Sequence, residues 1–286
     1  MSTTTVNTSV TEIAIVNPIN RLTNVLDRLD SVCEVAEEFQ TEDSDQTVQI
    51  TERVSIVIPV FNEEATIGLV VSRVAALPLN SEIVIVDDFS TDRTREILAT
   101  LDGVQGLKVI LKERNEGKGA ALRTGFEHAT GEFVVVQDAD LEYHPQDIPG
   151  LLVPLINDEC DIVYGSRFIG TELQDESWVH RFGNWTLTTA SNLFNGVHLT
   201  DMETCYKAFR RTTLNGIKIR QNRFGVEPEL TAKWARRGFR FQEVPISYNA
   251  RSYEDGKKIG IRDLFQAIYC ISVSYTHLTL PTILLV

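Results

Sequence analysis

The chain has 286 residues, 43% of them hydrophobic, and a formal net charge of -13. That length and apolar content suffice to bury the core of one full catalytic domain, and the acidic balance argues against nucleic acid as a partner. Cys33, Cys160, Cys205 and Cys270 are scattered without a Cys-x-x-Cys pair, as expected of reduced core thiols in a reducing compartment.

Residues 1–51 read as a separate acidic extension. Met1–Glu52 holds ten acids against Arg21 and Arg28, a net of -8. Its opening, Ser2-Thr3-Thr4-Thr5, lacks the basic start and apolar centre of a signal peptide. Asn17-Pro18 reads as a helix start, and Leu22, Val25, Leu29, Val32, Ala36 and Phe39 keep heptad spacing. The run is short for a coiled coil, so one helix docked on the following domain is expected, then an acidic linker from Glu42 to Asp45.

From residue 52 a strand, loop, helix grammar begins. Val54–Val60 is an apolar run closed by Phe61-Asn62-Glu63-Glu64, after which Ile67, Val70, Val71 and Val74 recur at helical spacing. Asn62 is the expected N-cap, with both glutamates in the first helical turn. A second unit follows: Glu82–Val86 ends in Asp87-Asp88-Phe89-Ser90-Thr91-Asp92, with Ser90 or Thr91 as cap and Ile97, Leu98 and Leu101 in helical register. Asn115-Glu116-Gly117-Lys118-Gly119 reads as a tight turn opening a helix, offering one lysine and free backbone N–H groups. Val134-Val135-Val136 then delivers Gln137-Asp138-Ala139-Asp140, a buried strand ending in two aspartates one residue apart.

This alternation predicts an α/β fold with a doubly wound, mostly parallel sheet and flanking helices. No Gly-x-Gly-x-x-Gly follows the first strand and no Gly-x-x-x-x-Gly-Lys-Ser/Thr occurs, which disfavours a dinucleotide oxidoreductase or a P-loop ATPase. Acids stand at the strand ends instead. An Asp-x-Asp at the carboxyl edge of such a sheet can hold a hard divalent cation against nucleotide phosphates.

In this order and spacing, Ile58–Glu64, Val86–Asp92, Asn115–Gly119 and Asp138-Ala139-Asp140 resemble the family 2 glycosyltransferases. The pattern is similar to the polyprenyl-phosphate glycosyltransferase branch typified by dolichyl-phosphate mannose synthase. The resemblance covers roughly residues 54–260 and implies a GT-A fold over a catalytic domain at 52–260. It further implies a nucleotide-diphosphate sugar donor, Mg2+ or Mn2+, and inversion at the anomeric carbon. Pro59, Phe61 and Glu63 match the contacts to base and ribose, Asp87 the acid that reads the base edge, and Lys118 and Ala139 positions beside the nucleotide sugar. Asp138 and Asp140 match the metal pair, with Glu142 completing the coordination.

The acceptor that the resemblance implies is a polyprenyl (dolichyl or undecaprenyl) phosphate, with the enzyme at the cytoplasmic face of a membrane. An ionised phosphate needs cations rather than a base. Arg167 of Gly165-Ser166-Arg167, Arg181, Arg251, Lys257 and Lys258 stand where phosphate-accepting relatives place theirs. Asp201–Lys207 and Phe224–Glu229 also look like elements of this branch. A saccharide hydroxyl acceptor, as in cell-wall or surface polysaccharide synthesis, is the alternative, and there Glu227 or Glu229 would be the base. Otherwise Glu227 orders the acceptor loop or caps a helix through Leu230 and Trp234. A nucleotidyltransferase would carry a Gly-rich basic signature after the first strand, and Pro59–Glu64 has none. A silent nucleotide-sugar-binding module is the remaining reading.

Residues 261–286 form a distinct end. Ile261, Leu264, Phe265, Ile268 and Tyr269 make an apolar helical stripe, read equally as a membrane-interface helix or a helix packed on the core. Leu264–Val286 carries no formal charge, yet Gln266, His277 and Pro281 argue against a membrane span. Ser274–Thr282 has no clear period and reads as a reading-frame or assembly artefact. Family members often continue here into membrane helices, so a longer natural chain is expected.

Overall fold

The computed structural model describes residues 50–170 and 178–249, apart from the side chains of 178–180. The extension at 1–49 and the end from residue 250, including Arg251, Lys257, Lys258 and the stripe from Ile261, lie outside the described residues.

Strand β1 (Val54–Val60) is buried along its whole length. A strand with no wet face needs cover on both sides, which is why its sequence is a continuous apolar run rather than an alternation. It pairs in parallel with β2 (Ser81–Asp87) and β4 (Phe133–Val136). Pro59 lies beyond the last β1–β4 pair, Val57 with Val136, so its missing N–H costs no bond to that neighbour. Between β1 and β2 runs α1 (Ile67–Ala75), burying Ile67, Val70, Val71 and Val74 as the spacing predicts. Then come α2 (Thr94–Leu101), edge strand β3 (Leu107–Leu111) parallel to β2, and α3 (Lys118–His128). Helix α3 lies close on the sheet through Gly125, where an added Cβ would stand 2.3 Å from Val57 Cγ1.

The second half contributes α4 (Ile148–Ile156), β5 (Ile162–Ser166), α5 (Trp178–Asn195), β6 (Lys207–Arg210), α6 (Val226–Arg236) and β7 (Phe241–Pro245). The strand order is β3-β2-β1-β4-β6-β5-β7. All pairs are parallel except those of β6, which runs antiparallel between β4 and β5. Phe209 of β6 packs on Trp234 of α6 with ring centroids 4.9 Å apart, anchoring that helix to the sheet. The expected doubly wound, mostly parallel sheet is present. The chain winds from β1 out to β3, then returns to place β4 on the other side of β1. Ligands of such sheets bind at that reversal, beyond the carboxyl ends of the strands.

Two local expectations are corrected. Helix α1 starts at Ile67 after Thr66, with no acid in its first turn, so Asn62 is not its cap. Asn62 Oδ1 instead accepts from Thr91 N at 2.8 Å, while Asn62 N donates to Ser90 Oγ at 2.9 Å. Neither Ser90 nor Thr91 caps α2, which follows Arg93 without a side-chain cap. These residues stitch the loop after β1 to the loop after β2.

Candidate active site

The carboxyl edge of the sheet is built under backbone strain. Asn62 (φ 53°), Phe89 (φ 67°) and Leu141 (φ 62°) take left-handed conformations immediately beyond β1, β2 and the Asp-x-Asp turn. Non-glycine residues pay to adopt that region and cluster at ligand sites when they do.

At the end of β2, Asp87 is fully buried and receives Arg95 Nε at 2.6 Å and Ser90 N at 3.2 Å. Arg95 in turn stacks 4.9 Å from the centroid of Phe89. Asp87 thus holds the shape of its own loop. Asp88, 2% exposed, accepts from Lys112 Nζ at 2.8 Å, Glu116 N at 3.1 Å and Gly117 N at 2.5 Å. It fixes the turn that opens α3. Those N–H groups are therefore committed, as is Ala120 N, which donates to Asn222 O at 3.1 Å. The expectation of free N–H groups there does not hold for these three. Gly119 serves packing instead, since a Cβ on it would meet Gln221 O at 2.3 Å.

Lys118 projects from this turn to the end of β4. Its Nζ lies 3.0 Å from each oxygen of Asp138 and 3.4 Å from Glu227 Oε1 in the first turn of α6. Burial opposes the charge, but Asp138, Cys205 and Glu227 hold the ammonium protonated well above the ordinary lysine range. The Cys205 thiol hydrogen-bonds Asp138, and burial pushes it far above its usual value. Ala139 is buried. Asp140 Oδ1 accepts Glu142 N at 3.2 Å, and Glu142 Oε2 accepts Tyr248 OH at 2.9 Å. Asp138, Asp140 and Glu142 thus stand on one turn. Carboxylate oxygens are the hard ligands that Mg2+ and Mn2+ take. Among the described residues no three acids, histidines or cysteines converge on one point, so phosphate oxygens of a nucleotide would have to complete any shell.

Pro59 lies within β1, while Phe61 and Glu63 stand in the loop after it. Glu63 accepts from Thr66 Oγ1 at 3.0 Å.

On the other side of the site, Arg167 grips Asp201 with both ends of its fork, Nε at 2.7 Å and Nη2 at 2.8 Å. Burial works against its charge, but Asp201 holds it above the usual arginine range. Its guanidinium also stands 5.0 Å from the Tyr248 ring centroid. Tyr248 consequently touches both Glu142 and Arg167, linking the carboxylate turn to the cation. Asn184 of α5 joins the same Asp201 at 3.1 Å. Arg181 is exposed and lines a cleft of about 560 Å3 with Phe168, Phe182, Trp185 and Leu199.

Glu229 is committed to structure, receiving Arg220 N at 2.9 Å, Gln221 N at 2.8 Å and the Lys233 ammonium. Asp88, Asp201, Glu203 and Tyr248 were not singled out by sequence reasoning. The acidic doublet and the Asp201–Lys207 segment pointed at the places of the first three but not at their partners.

The family model described as glycosyl transferase family 2 matches residues 55–217. Undecaprenyl-phosphate 4-deoxy-4-formamido-L-arabinose transferase of Aeromonas hydrophila is 33% identical over 229 residues, 76% of this chain and 65% of that protein. Dodecaprenyl-phosphate galacturonate synthase of Rhizobium johnstonii is 29% identical over 234 residues, 80% of this chain and 67% of that protein. The chain thus spans about two thirds of the length of these relatives. Glucosyl-3-phosphoglycerate synthase of Mycobacterium tuberculosis, solved with Mn2+, UDP and phosphoglyceric acid, shares the GT-A fold. It superimposes with a TM-score of 0.59 at 22% identity, covering 79% of each chain. By its motifs, its fold and the matched family model, the chain belongs to glycosyl transferase family 2.

Proposed function

We propose that this chain transfers a sugar, with inversion, from a nucleotide-diphosphate sugar to a polyprenyl phosphate, using residues 52–260 as its catalytic domain and working at the cytoplasmic face of a membrane. One observation carries the acceptor assignment: Arg181 stands in a cleft beside Phe168, Phe182 and Trp185. A cation among large apolar rings matches a molecule with an anionic head and a hydrocarbon tail. The names of the two polyprenyl-phosphate relatives support the same reading.

The residues divide the work. Phe61 and Glu63, with Pro59 behind them and Asp87 shaping the neighbouring loop, border the nucleoside end. Asp140 and Glu142 would hold Mg2+ or Mn2+ with the donor's phosphates, and Asp138 stands next to them with its charge answered by Lys118. A bound divalent ion supplies Lewis-acid stabilisation to the departing diphosphate. Arg181 would receive the acceptor phosphate, with Arg167 behind it holding the loop at Asp201. The candidate cations Arg251, Lys257 and Lys258 belong to this acceptor side by sequence alone. An acceptor phosphate oxygen then attacks the anomeric carbon opposite the leaving group, and no proton needs removal.

Glu227 bears on the competing reading. Its Oε1 faces the Lys118 ammonium at 3.4 Å, so the carboxylate is already engaged with a fixed partner rather than standing open towards an acceptor hydroxyl. A saccharide-accepting enzyme would need that base, at a loss of about 100-fold or more on removal. The test is to incubate the full chain with UDP- and GDP-sugars, Mn2+ and either undecaprenyl phosphate or a free saccharide. Transfer to the lipid phosphate that survives Glu227→Gln is the expected result. Transfer to the saccharide alone, lost in Glu227→Gln, would overturn it.

A further inference from the structure

The turn that carries Asp138, Asp140 and Glu142 is shaped from outside. Leu141, between the last two acids, sits at φ 62°, a region that a bulky side chain keeps only when its surroundings over-determine it. The holding comes from the segment that follows β7. Buried Ile246 gives its N–H to Ser166 O at 3.2 Å and closes on Gly165, where an added Cβ would stand 2.7 Å from Ile246 Cγ2, so the chain is kept against the end of β5. It then meets the turn. Ser247 N donates to Asp147 Oδ2 at 2.7 Å, Tyr248 pairs with Tyr143 as an isolated antiparallel bridge, and Asn249 N donates to Glu142 O at 2.9 Å. Glu142 is thereby held at its amide by Asp140 Oδ1 at 3.2 Å, at its carbonyl by Asn249, and at its carboxylate Oε2 by the Tyr248 hydroxyl at 2.9 Å. The Tyr248 ring has its own contacts, edge-on to Tyr143 with centroids 5.3 Å apart and 5.0 Å from the Arg167 guanidinium.

We propose that Tyr248 is a positioning residue for the divalent cation: its hydroxyl fixes the orientation of the Glu142 carboxylate, and its ring holds that hydroxyl in place against Tyr143 and Arg167. The inference rests on the metal and nucleotide-sugar reading above and adds to it a residue that acts through Glu142 rather than as a ligand. A carboxylate left to rotate must be ordered when a cation binds, at a cost in side-chain entropy. A hydrogen bond already in place lowers that cost and aims the ligand. Partners of this kind typically change metal affinity by about 10- to 100-fold. The two tasks of the side chain divide by atom, the hydroxyl serving Glu142 and the ring serving the packing.

The test measures Mn2+ binding to the full chain by calorimetry in the presence of UDP or GDP, beside urea unfolding, for wild type, Tyr248→Phe and Tyr248→Leu. Tyr248→Phe removes the hydroxyl and keeps the ring at a half-buried position. Its Mn2+ affinity should fall about tenfold or more with an unfolding midpoint close to that of wild type. Tyr248→Leu removes both; it should lose no more Mn2+ affinity than Tyr248→Phe, yet unfold at lower urea. A tyrosine that only props the fold gives the other order, with Mn2+ affinity following the midpoint and falling mainly in Tyr248→Leu. That order, or a Tyr248→Phe chain that binds Mn2+ as wild type does, overturns the positioning role alone. Should Tyr248→Leu fail to fold, Tyr248→Phe decides by itself. A wild-type chain that binds Mn2+ with neither nucleotide overturns the metal reading and this inference with it.

Discussion

Lys118 Nζ stands 3.0 Å from both carboxylate oxygens of Asp138. The first aspartate of the Asp-x-Asp turn therefore already has a cation, and a divalent ion bound there would have to share it. Lys118→Met should tighten Mn2+ binding by roughly tenfold, because Asp138 gains freedom to ligate, while the unfolding midpoint falls as the buried Glu227 loses its partner. Mn2+ titration by calorimetry beside urea unfolding checks both directions; weaker Mn2+ binding would show that Lys118 supports the metal rather than competing with it.

Asp140 and Glu142 carry the opposite expectation. Asp140→Ala should lower turnover by about 100- to 1,000-fold and abolish Mn2+ binding with little effect on the unfolding midpoint, since the interaction is with the developing diphosphate charge. Full activity of the wild-type chain in excess chelator would contradict it.

The two arginines of the acceptor side should separate by readout. Arg167→Ala leaves the fully buried Asp201 without its bidentate partner, so it should cost about 3–5 kcal/mol of stability in urea unfolding. Arg181→Ala, at an exposed position, should leave stability within about 0.5 kcal/mol and raise the KM for lipid phosphate several-fold. Equal stability losses in the two variants would remove the distinction.

Glu203 predicts a pH dependence. Its folded value of about 8 lies above the ordinary glutamate value of 4.5, so between those values the folded chain binds a proton that the unfolded chain has released. Stability contributed by the protonated group is complete below the unfolded value and is lost as pH rises through the folded one. Glu203→Gln removes that loss. Its unfolding midpoint relative to wild type should rise from pH 5 to pH 8 and level off beyond; a difference constant across that range would show that the carboxyl is not so perturbed.

What the sequence disclosed follows the range of each interaction. Strands β1, β2 and β4 were readable because Val54–Val60, Ile83–Val86 and Phe133–Val136 are buried on both faces and so are unbroken apolar runs. Strand β6 was not, since Lys207–Arg210 is four residues long, opens on a lysine and has no alternation to reveal its antiparallel course. The caps were misread for a related reason. Asn62 and Ser90 look like local helix starts, but their partners lie across two loops, a distance that no local window spans. Lys118 and Asp138 stood out as motif residues, whereas their meeting with Glu227 depends on how α6 docks.

The placement of β6 also orders events during synthesis. Strands β1 to β4 follow one another in the chain, and each can pair as it emerges. Strand β4, paired with β1 on one side, then waits for its second partner until Lys207–Arg210 is made, and β5 waits with it. In that interval Phe133–Val136 presents an open, wholly apolar edge, the feature from which strand-to-strand aggregation begins. The late strand thus acts as a latch on the nascent sheet, and a chain stalled before it would be a substrate for chaperones rather than a half-made enzyme.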